Sequence, residues 1–296
     1  MNIRPYVENF ILQKINEGFD DEGSHDLKYY AFDWDDNLLF MPTSIILMDE
    51  NEDDVLMSTE DFAEHRHKIG VEAFKYKNKK IIGYSSRAFK NFREEGDKKF
   101  IIDSMIAKPG PSWEDFVECI NGGSIFAIIT ARGHNPKTIQ EAVYNLIISN
   151  KHGINSNLLA KNLNKYKNID NKNNNLNETK SLSLSDLNDY LNLCKFIPVS
   201  FKDPNISNPE QAKYQALKEF ISYCKTMANM ISNKTGKKEN PMFKNDLEFN
   251  SEVEPFIGFS DDDLKNVEKI KELMKQGGDE FSINLYLTKG NKKIKY

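Results

Sequence analysis

The chain has 296 residues, a formal net charge of −5 from 40 Lys and Arg against 45 Asp and Glu, and a mean hydropathy of −0.62. Its length allows a full core, and 39% hydrophobic residues with 19 Phe argue against wholesale disorder. No stretch approaches the roughly 18–20 uncharged apolar residues that span a bilayer. The acidic balance disfavours nonspecific binding to nucleic acid, which requires a basic surface.

The first twenty residues lack the apolar core of a secretory signal. The three cysteines, Cys119, Cys194 and Cys224, have neither the pattern of a disulfide framework nor zinc-ligand spacing. We therefore expect reduced thiols and a cytoplasmic location.

Taken in chain order, the apolar patterns predict alternating helices and strands. An amphipathic helix over residues 5–17 comes first. Short apolar runs closed by polar residues are typical of buried parallel strands. Such runs occupy residues 29–32, 124–129, 196–201 and 253–259, and an alternating pattern predicts a final strand over 281–287. Helical patterns follow three of the runs, over 136–149, 209–227 and 264–274.

This alternation predicts the α/β class, with a Rossmann-like parallel sheet and helices on both faces. The predicted core comprises residues 1–43 and 116–296. Residues 44–115, which carry two hairpin patterns and helical sequence, are predicted as a flap and cap insertion. Residues 155–193 are rich in Asn, Lys, Ser and Leu, a composition that predicts a flexible insertion within the core.

Residues suited to chemistry follow the predicted strands. In chain order they are Asp33 and Asp35, Thr130, Lys213 early in a helix, and Asp261 with Asp262. The carboxyl ends of parallel strands meet at one edge of a sheet, so we expect these side chains to lie together. Crowded carboxylates without His or Cys partners favour Mg²⁺. A hydroxyl and an ammonium beside them complete a phosphoryl-transfer site.

These motifs resemble those of the haloacid dehalogenase (HAD) superfamily. YYAFDWDDNLLFMPT looks like the family's first motif, IFAIITARG like the second and FIGFSDDDLKNVEKI like the fourth. The third motif is a single lysine, for which Lys213 is favoured over Lys218 and Lys202. The resemblance covers the strand ends and their helices and implies a HAD-like core.

The resemblance also implies an activity, that of a Mg²⁺-dependent phosphomonoester hydrolase with an aspartyl-phosphate intermediate. Asp33 would be the nucleophile and Asp35 the general acid and then the base. Thr130 and Lys213 would hold the phosphoryl oxygens. The implied Mg²⁺ ligands are Asp33, Asp35 through its backbone carbonyl, and Asp262, with Asp261 near. We expect a small phosphorylated substrate, with no membrane partner and with nucleic acid disfavoured. Substrate identity and oligomeric state stay open.

Departures from the family pattern leave a rival open. Asn37 stands where the family usually has Thr, Asp36 where Gly is common, and Asn266 where many members have a second acidic residue. The alternative is a catalytically weak or inactive module that binds a phosphorylated ligand or a protein partner. A receiver-type signalling domain is disfavoured because its acidic pair precedes the Thr and Lys.

Four further residues invite a functional interpretation. Arg132 either reaches the substrate or lies on the surface. His65 and His67 are two residues apart and so face different sides of a helix, which predicts a solvated face rather than a metal site. Trp34 is predicted to pack rather than to stack on a ligand.

Overall fold

The computed structural model describes residues 28–168, 182–200, 208–235, 256–277 and 283–296. The helix predicted over residues 5–17 lies outside these ranges. Within them, no helix combines the length with the apolar content that crossing a bilayer requires.

The described residues form twelve strands and eight α-helices. The strands are β1 Lys28–Phe32, β2 Leu39–Phe40, β3 Ser44–Asp49, β4 Asp54–Ser58, β5 Phe74–Tyr76, β6 Lys79–Tyr84, β7 Lys108–Pro109, β8 Phe126–Thr130, β9 Lys195–Pro198, β10 Phe256–Asp261, β11 Ile283–Lys289 and β12 Lys292–Lys295. The helices are α1 Thr59–His65, α2 Asp97–Ile106, α3 Trp113–Gly122, α4 Pro136–Ile148, α5 Ser156–Asn168, α6 Leu184–Leu193, α7 Pro209–Thr235 and α8 Leu264–Gly277.

A six-stranded sheet in the order β12-β11-β10-β1-β8-β9 forms the centre of the molecule. The five strands from β11 to β9 are parallel, and β12 adds antiparallel to β11 at one edge. The predicted α/β class with a mostly parallel sheet is confirmed, and β12 is an addition to the predicted strands. The interior strand β8 is buried at every residue, as expected for a parallel strand covered on both faces.

The chain reverses direction across this sheet. From β1 it runs outward to β8 and β9, then returns past β1 to β10 and β11. Connections between parallel strands are right-handed as a rule, so such a reversal places the connecting helices on opposite faces. On one side of the reversal α4 packs against β9, and on the other α8 packs against β10, β11 and α7.

The segment 155–193 differs from its prediction at both ends. Helix α5 buries Leu159 and Leu163 in the main core, and helix α6 buries Leu187 and Leu191 there. The prediction of a flexible insertion is therefore wrong for these two helices, while residues 169–181 lie outside the described ranges. Apolar residues four apart outweigh the Asn-rich composition because they form one buried helical stripe.

Residues 44–84 contain a separate antiparallel sheet in the order β4-β3-β6-β5. Its apolar cluster includes Leu47, Met57 and Ile81. Strands β2 and β7 pair where the chain leaves and rejoins the central part. Both predicted hairpin patterns thus form strands, and the assignment of residues 44–115 as a cap stays a prediction.

The loop between β1 and β2 is a tight turn. The amides of Leu38 and Leu39 both donate to the Trp34 carbonyl, at 3.0 and 3.1 Å. Asp36 has a φ of 52°, a left-handed conformation that Asp tolerates better than most residues. Gly110 lies directly against this turn, where its amide donates to the Leu38 carbonyl at 2.8 Å.

Replacing Gly110 by Ala should destabilise the protein, because a Cβ atom there would lie 2.5 Å from the Asn37 carbonyl oxygen. We expect Gly110→Ala to lower the free energy of unfolding by about 1–3 kcal/mol, measured by urea denaturation. Gly83→Ala is the matched control, since a Cβ at that position meets no heavy atom within 4 Å. Equal effects of the two substitutions would contradict the close approach.

Candidate functional site

The candidate site lies at the point where the strand order reverses. Strands β1 and β10 are neighbours there, with Phe32 paired to Ser260. The Asp33 amide continues the ladder by donating to the Ser260 carbonyl at 2.9 Å, which places Asp33 beside Asp261. Ligands of open parallel sheets bind in the crevice at such a reversal.

Three carboxylates crowd together in this crevice. Asp33, Asp261 and Asp262 each offer an oxygen, and these atoms lie within 4.8 Å of one another. Burial, with the charges of Asp261 and Asp35, raises the pKa of Asp33 to about 7 against the opposing effect of Lys213. Burial, then the charges of Asp261 and Asp33, also raise the pKa of Asp262. The cluster therefore resists full ionisation without an added cation.

Lys213 is the buried cation of the cluster. Its Nζ lies 2.7 Å from Asp261 Oδ2 and 3.0 Å from Asp33 Oδ1, and the residue is 2% exposed. Burial alone would lower the pKa of Lys213, but the charges of Asp261 and Asp33 raise it overall. Of the alternative lysines, Lys218 lies over an aromatic ring of its own helix and Lys202 is outside the described ranges.

Asp33 keeps one buried oxygen without a hydrogen bond. The contact of Oδ1 with Lys213 is an ion pair whose angles do not make a hydrogen bond, and no other donor in the described part of the chain reaches this atom. A carboxylate oxygen in this state can bind a cation or act as a nucleophile. Carboxylates without His or Cys fit Mg²⁺ better than a softer metal.

Asp261 and Asp262 are not equivalent. Asn266 Nδ2 donates to both carboxylate oxygens of Asp261, at 2.9 and 3.0 Å. Asp261 also accepts from the Asp263 amide, at 3.0 Å, and from Lys213 Nζ. Its oxygens are thus engaged by the protein, whereas Asp262 lines an open cavity. Asp262 is better placed to reach a ligand, and Asp261 with Asn266 positions the lysine.

Asn37 ties together the strand ends that form the crevice. Its Nδ2 donates to the carbonyls of Asp33 and Ser260, at 2.9 and 3.2 Å. Its Oδ1 accepts from the hydroxyls of Ser112 and Thr288, at 2.9 and 3.1 Å. The residue is fully buried, so this departure from the family pattern is part of the scaffold of the site.

Asp35 forms a two-point ion pair with Arg132. Arg132 Nε lies 2.7 Å from Asp35 Oδ2, and Nη2 lies 2.6 Å from Oδ1. The guanidinium also lies over the rings of Phe92 and Phe100, and Arg132 is 1% exposed. The interpretation of Arg132 as a surface residue is therefore wrong.

A buried polar chain continues behind Arg132. His134 Nε2 lies 3.1 Å from Arg132 Nη1, and Nδ1 lies 2.7 Å from Asp97 Oδ1. Since a guanidinium only donates and a carboxylate only accepts, these partners place a single proton on Nδ1 and leave His134 neutral. Burial, followed by the charge of Arg132, lowers the pKa of His134. Sequence reasoning missed both His134 and Asp97, and only the nearness of His134 to the second motif could have pointed to the former.

Thr130 stands at the end of β8 and faces the same cavity. Its Oγ1 accepts from the Arg132 amide at 3.3 Å, which leaves its own hydroxyl proton available to a ligand. It is not a helix cap, because helix α4 begins at Pro136 and is capped by Asn135.

The cavity has a volume of about 950 Å³. The predicted site residues that line it are Asp33, Asp35, Thr130, Lys213 and Asp262, and Asp261 lies just behind them. Residues of the 44–84 segment and of the turns after it supply most of the remaining lining.

The other predicted candidates lie elsewhere. Trp34 is fully buried with its ring 5.3 Å from that of Phe100. His65 packs against the ring of Phe74, His67 is exposed, and neither belongs to the carboxylate cluster.

Comparison of the chain with protein-family models, with curated proteins and with solved structures finds no match. The HAD assignment therefore stays a prediction from the sequence motifs. The geometry of the described residues is the basis for a functional conclusion.

We expect His134 to make the fold sensitive to acid. Its pKa lies below the ordinary value in the folded protein, so the unfolded chain binds more protons once the pH falls below about 6.5. The stability that neutral His134 provides is present above that pH and is lost as the pH falls through the folded pKa. The wild-type free energy of unfolding should therefore decrease more than that of His134→Gln between about pH 7.5 and about pH 5.5. Urea denaturation at the two pH values tests this, and equal decreases would contradict it.

Proposed function

We propose that the chain is a Mg²⁺-dependent phosphomonoester hydrolase of the haloacid dehalogenase type. One observation carries the proposal. Residues at the carboxyl ends of three different strands, together with a lysine from α7, line a single cavity with the Asp33 carboxylate, whose Oδ1 is ion-paired with that lysine. An unrelated set of capping and surface residues would not be expected to converge in this way.

In the first step Asp33 attacks the phosphorus of the substrate. A bond forms between a carboxylate oxygen and phosphorus, and the bond from phosphorus to the ester oxygen breaks. The protonated Asp35 gives its proton to that leaving oxygen. The products of this step are the free alcohol and an aspartyl-phosphate at Asp33.

In the second step water attacks the phosphorus of the aspartyl-phosphate. Asp35 takes the proton of the water, the bond from Asp33 to phosphorus breaks, and inorganic phosphate leaves. Both oxygens of Asp35 are bonded to Arg132, so either proton transfer requires one of these hydrogen bonds to open.

The remaining residues hold charge and position the phosphoryl group. The hydroxyl of Thr130 and an N–H of the Lys213 ammonium donate hydrogen bonds to phosphoryl oxygens. Asp33, Asp262 and the Asp35 carbonyl would hold Mg²⁺, with Asp261 near. When bound, Mg²⁺ offsets the crowded carboxylates and stabilises negative charge on the phosphoryl group.

A binding module without catalysis is the alternative. Its support came from Asn37 and Asn266, but both side chains are buried and bonded to the site's own scaffold. Asn266 leaves one carboxylate fewer than many family members have, but the cluster of Asp33, Asp261 and Asp262 is still present. The observations therefore favour the enzyme.

The direct test is hydrolysis of p-nitrophenyl phosphate with Mg²⁺. We expect turnover in the wild type and a loss of at least ~10³-fold in kcat for Asp33→Asn, because the amide cannot act as the nucleophile. Asp53→Asn is the control, since Asp53 is an exposed carboxylate in the turn between β3 and β4. A wild type without activity on a broad phosphometabolite panel, or an Asp33→Asn variant with full activity, would overturn the proposal.

Mg²⁺ should also stabilise the protein in the absence of substrate. At about ten times its Kd, the metal should add about 1.4 kcal/mol to the free energy of unfolding, and thermal denaturation should show a higher Tm. Asp262→Asn should reduce this Mg²⁺ response, because it removes one ligand of the cluster, whereas Asp53→Asn should leave it unchanged. A full response in Asp262→Asn would place the metal elsewhere.

A further inference from the structure

Four aromatic residues line the cavity and together form one of its walls. They are Phe62, Tyr84, Phe89 and Phe92. Their rings make a continuous series of contacts, with centroids 5.6 to 6.3 Å apart. Three of them also pack against the apolar cluster of the 44–84 sheet. Tyr84 is the most exposed of the four, at 38%.

The same wall is polar and cationic between its rings. Ser85 and Ser86 follow Tyr84 directly, and both line the cavity. Lys90 lines it as well, is partly buried and has no carboxylate partner within the described ranges. Such a surface suits a ligand that combines an aromatic ring with hydroxyls and negative charge, rather than a purely apolar group.

The cavity is too large for a phosphate group alone. Its volume of about 950 Å³ is near the upper end of the range for sites of small organic ligands. The phosphoryl group would occupy only the carboxylate side, so the alcohol part of the ester would extend toward the aromatic wall.

We propose that the substrates are nucleotides, with the reacting phosphate at Asp33 and the base against the ring of Tyr84. The inference rests on the proposed function and names the substrate class of the same site. Stacking on an aromatic side chain accepts any base, because every base presents a π-face. The hydroxyl of Ser86 suits the polar edge of a base or the ribose, whereas the Ser85 hydroxyl donates to Asp54 Oδ1 at 2.9 Å.

The test compares kcat/KM for adenosine monophosphate, as its 5′ and 3′ isomers, with that for glucose 6-phosphate and for phosphotyrosine, all with Mg²⁺. We expect at least one nucleotide isomer to exceed both other esters by about tenfold or more. Tyr84→Ala should remove this preference, because it should raise KM for the nucleotide several-fold more than KM for glucose 6-phosphate. Tyr84→Phe keeps the ring and should keep the preference.

The outcomes separate this inference from the proposed function. Equal or faster hydrolysis of glucose 6-phosphate or phosphotyrosine, still abolished by Asp33→Asn, would overturn the substrate class and leave the phosphatase standing. A nucleotide preference that survives Tyr84→Ala would overturn the role of the aromatic wall. Failure to hydrolyse any ester, including p-nitrophenyl phosphate, would overturn both.

Discussion

The ion pairs of the buried Lys213 with Asp33 and Asp261 are the interactions on which the rest of the site depends. A buried ammonium without partners would cost several kcal/mol, and so would each buried carboxylate beside it. The contacts of Lys213 with Asp33 and Asp261 offset the free-energy cost of burying all three groups. One ammonium cannot balance three ionised carboxylates once Asp262 is included, which is why the pKa values of Asp33 and Asp262 are raised. The Mg²⁺ that we propose would supply the missing positive charge.

The cavity has one side built from the central parallel sheet and another built from the 44–84 segment and the turns after it. Parallel strands fix the carboxylate side, because the ladder between β1 and β10 sets where Asp33 and Asp261 lie and Asn37 bonds both strand ends. The other side comes from the 44–84 sheet and the turns that follow it, which bring Tyr84 and its neighbouring rings to the cavity. We infer that the reaction takes place on the first side and that the second side selects the leaving group.

The sequence predicts the local parts of this site better than its long-range contacts. The run before Asp33 ends at a carboxylate, so both the strand and the residue at its end could be inferred from neighbouring letters. The pairing of Arg132 with Asp35, and of His134 with Asp97, depends on which turns meet in space, and no spacing encodes that. Composition was misleading for helices α5 and α6, where few but regularly spaced leucines provide the burial.

The most direct measurement of the central claim is capture of the covalent intermediate. The wild-type protein would be mixed with Mg²⁺ and a substrate ester, quenched in acid within the first turnover, digested and analysed by mass spectrometry. The account predicts one added phosphoryl group on the peptide that contains Asp33, and none in Asp33→Asn. A phosphoryl group on a different residue, or hydrolysis that proceeds with Asp33 never modified, would contradict it.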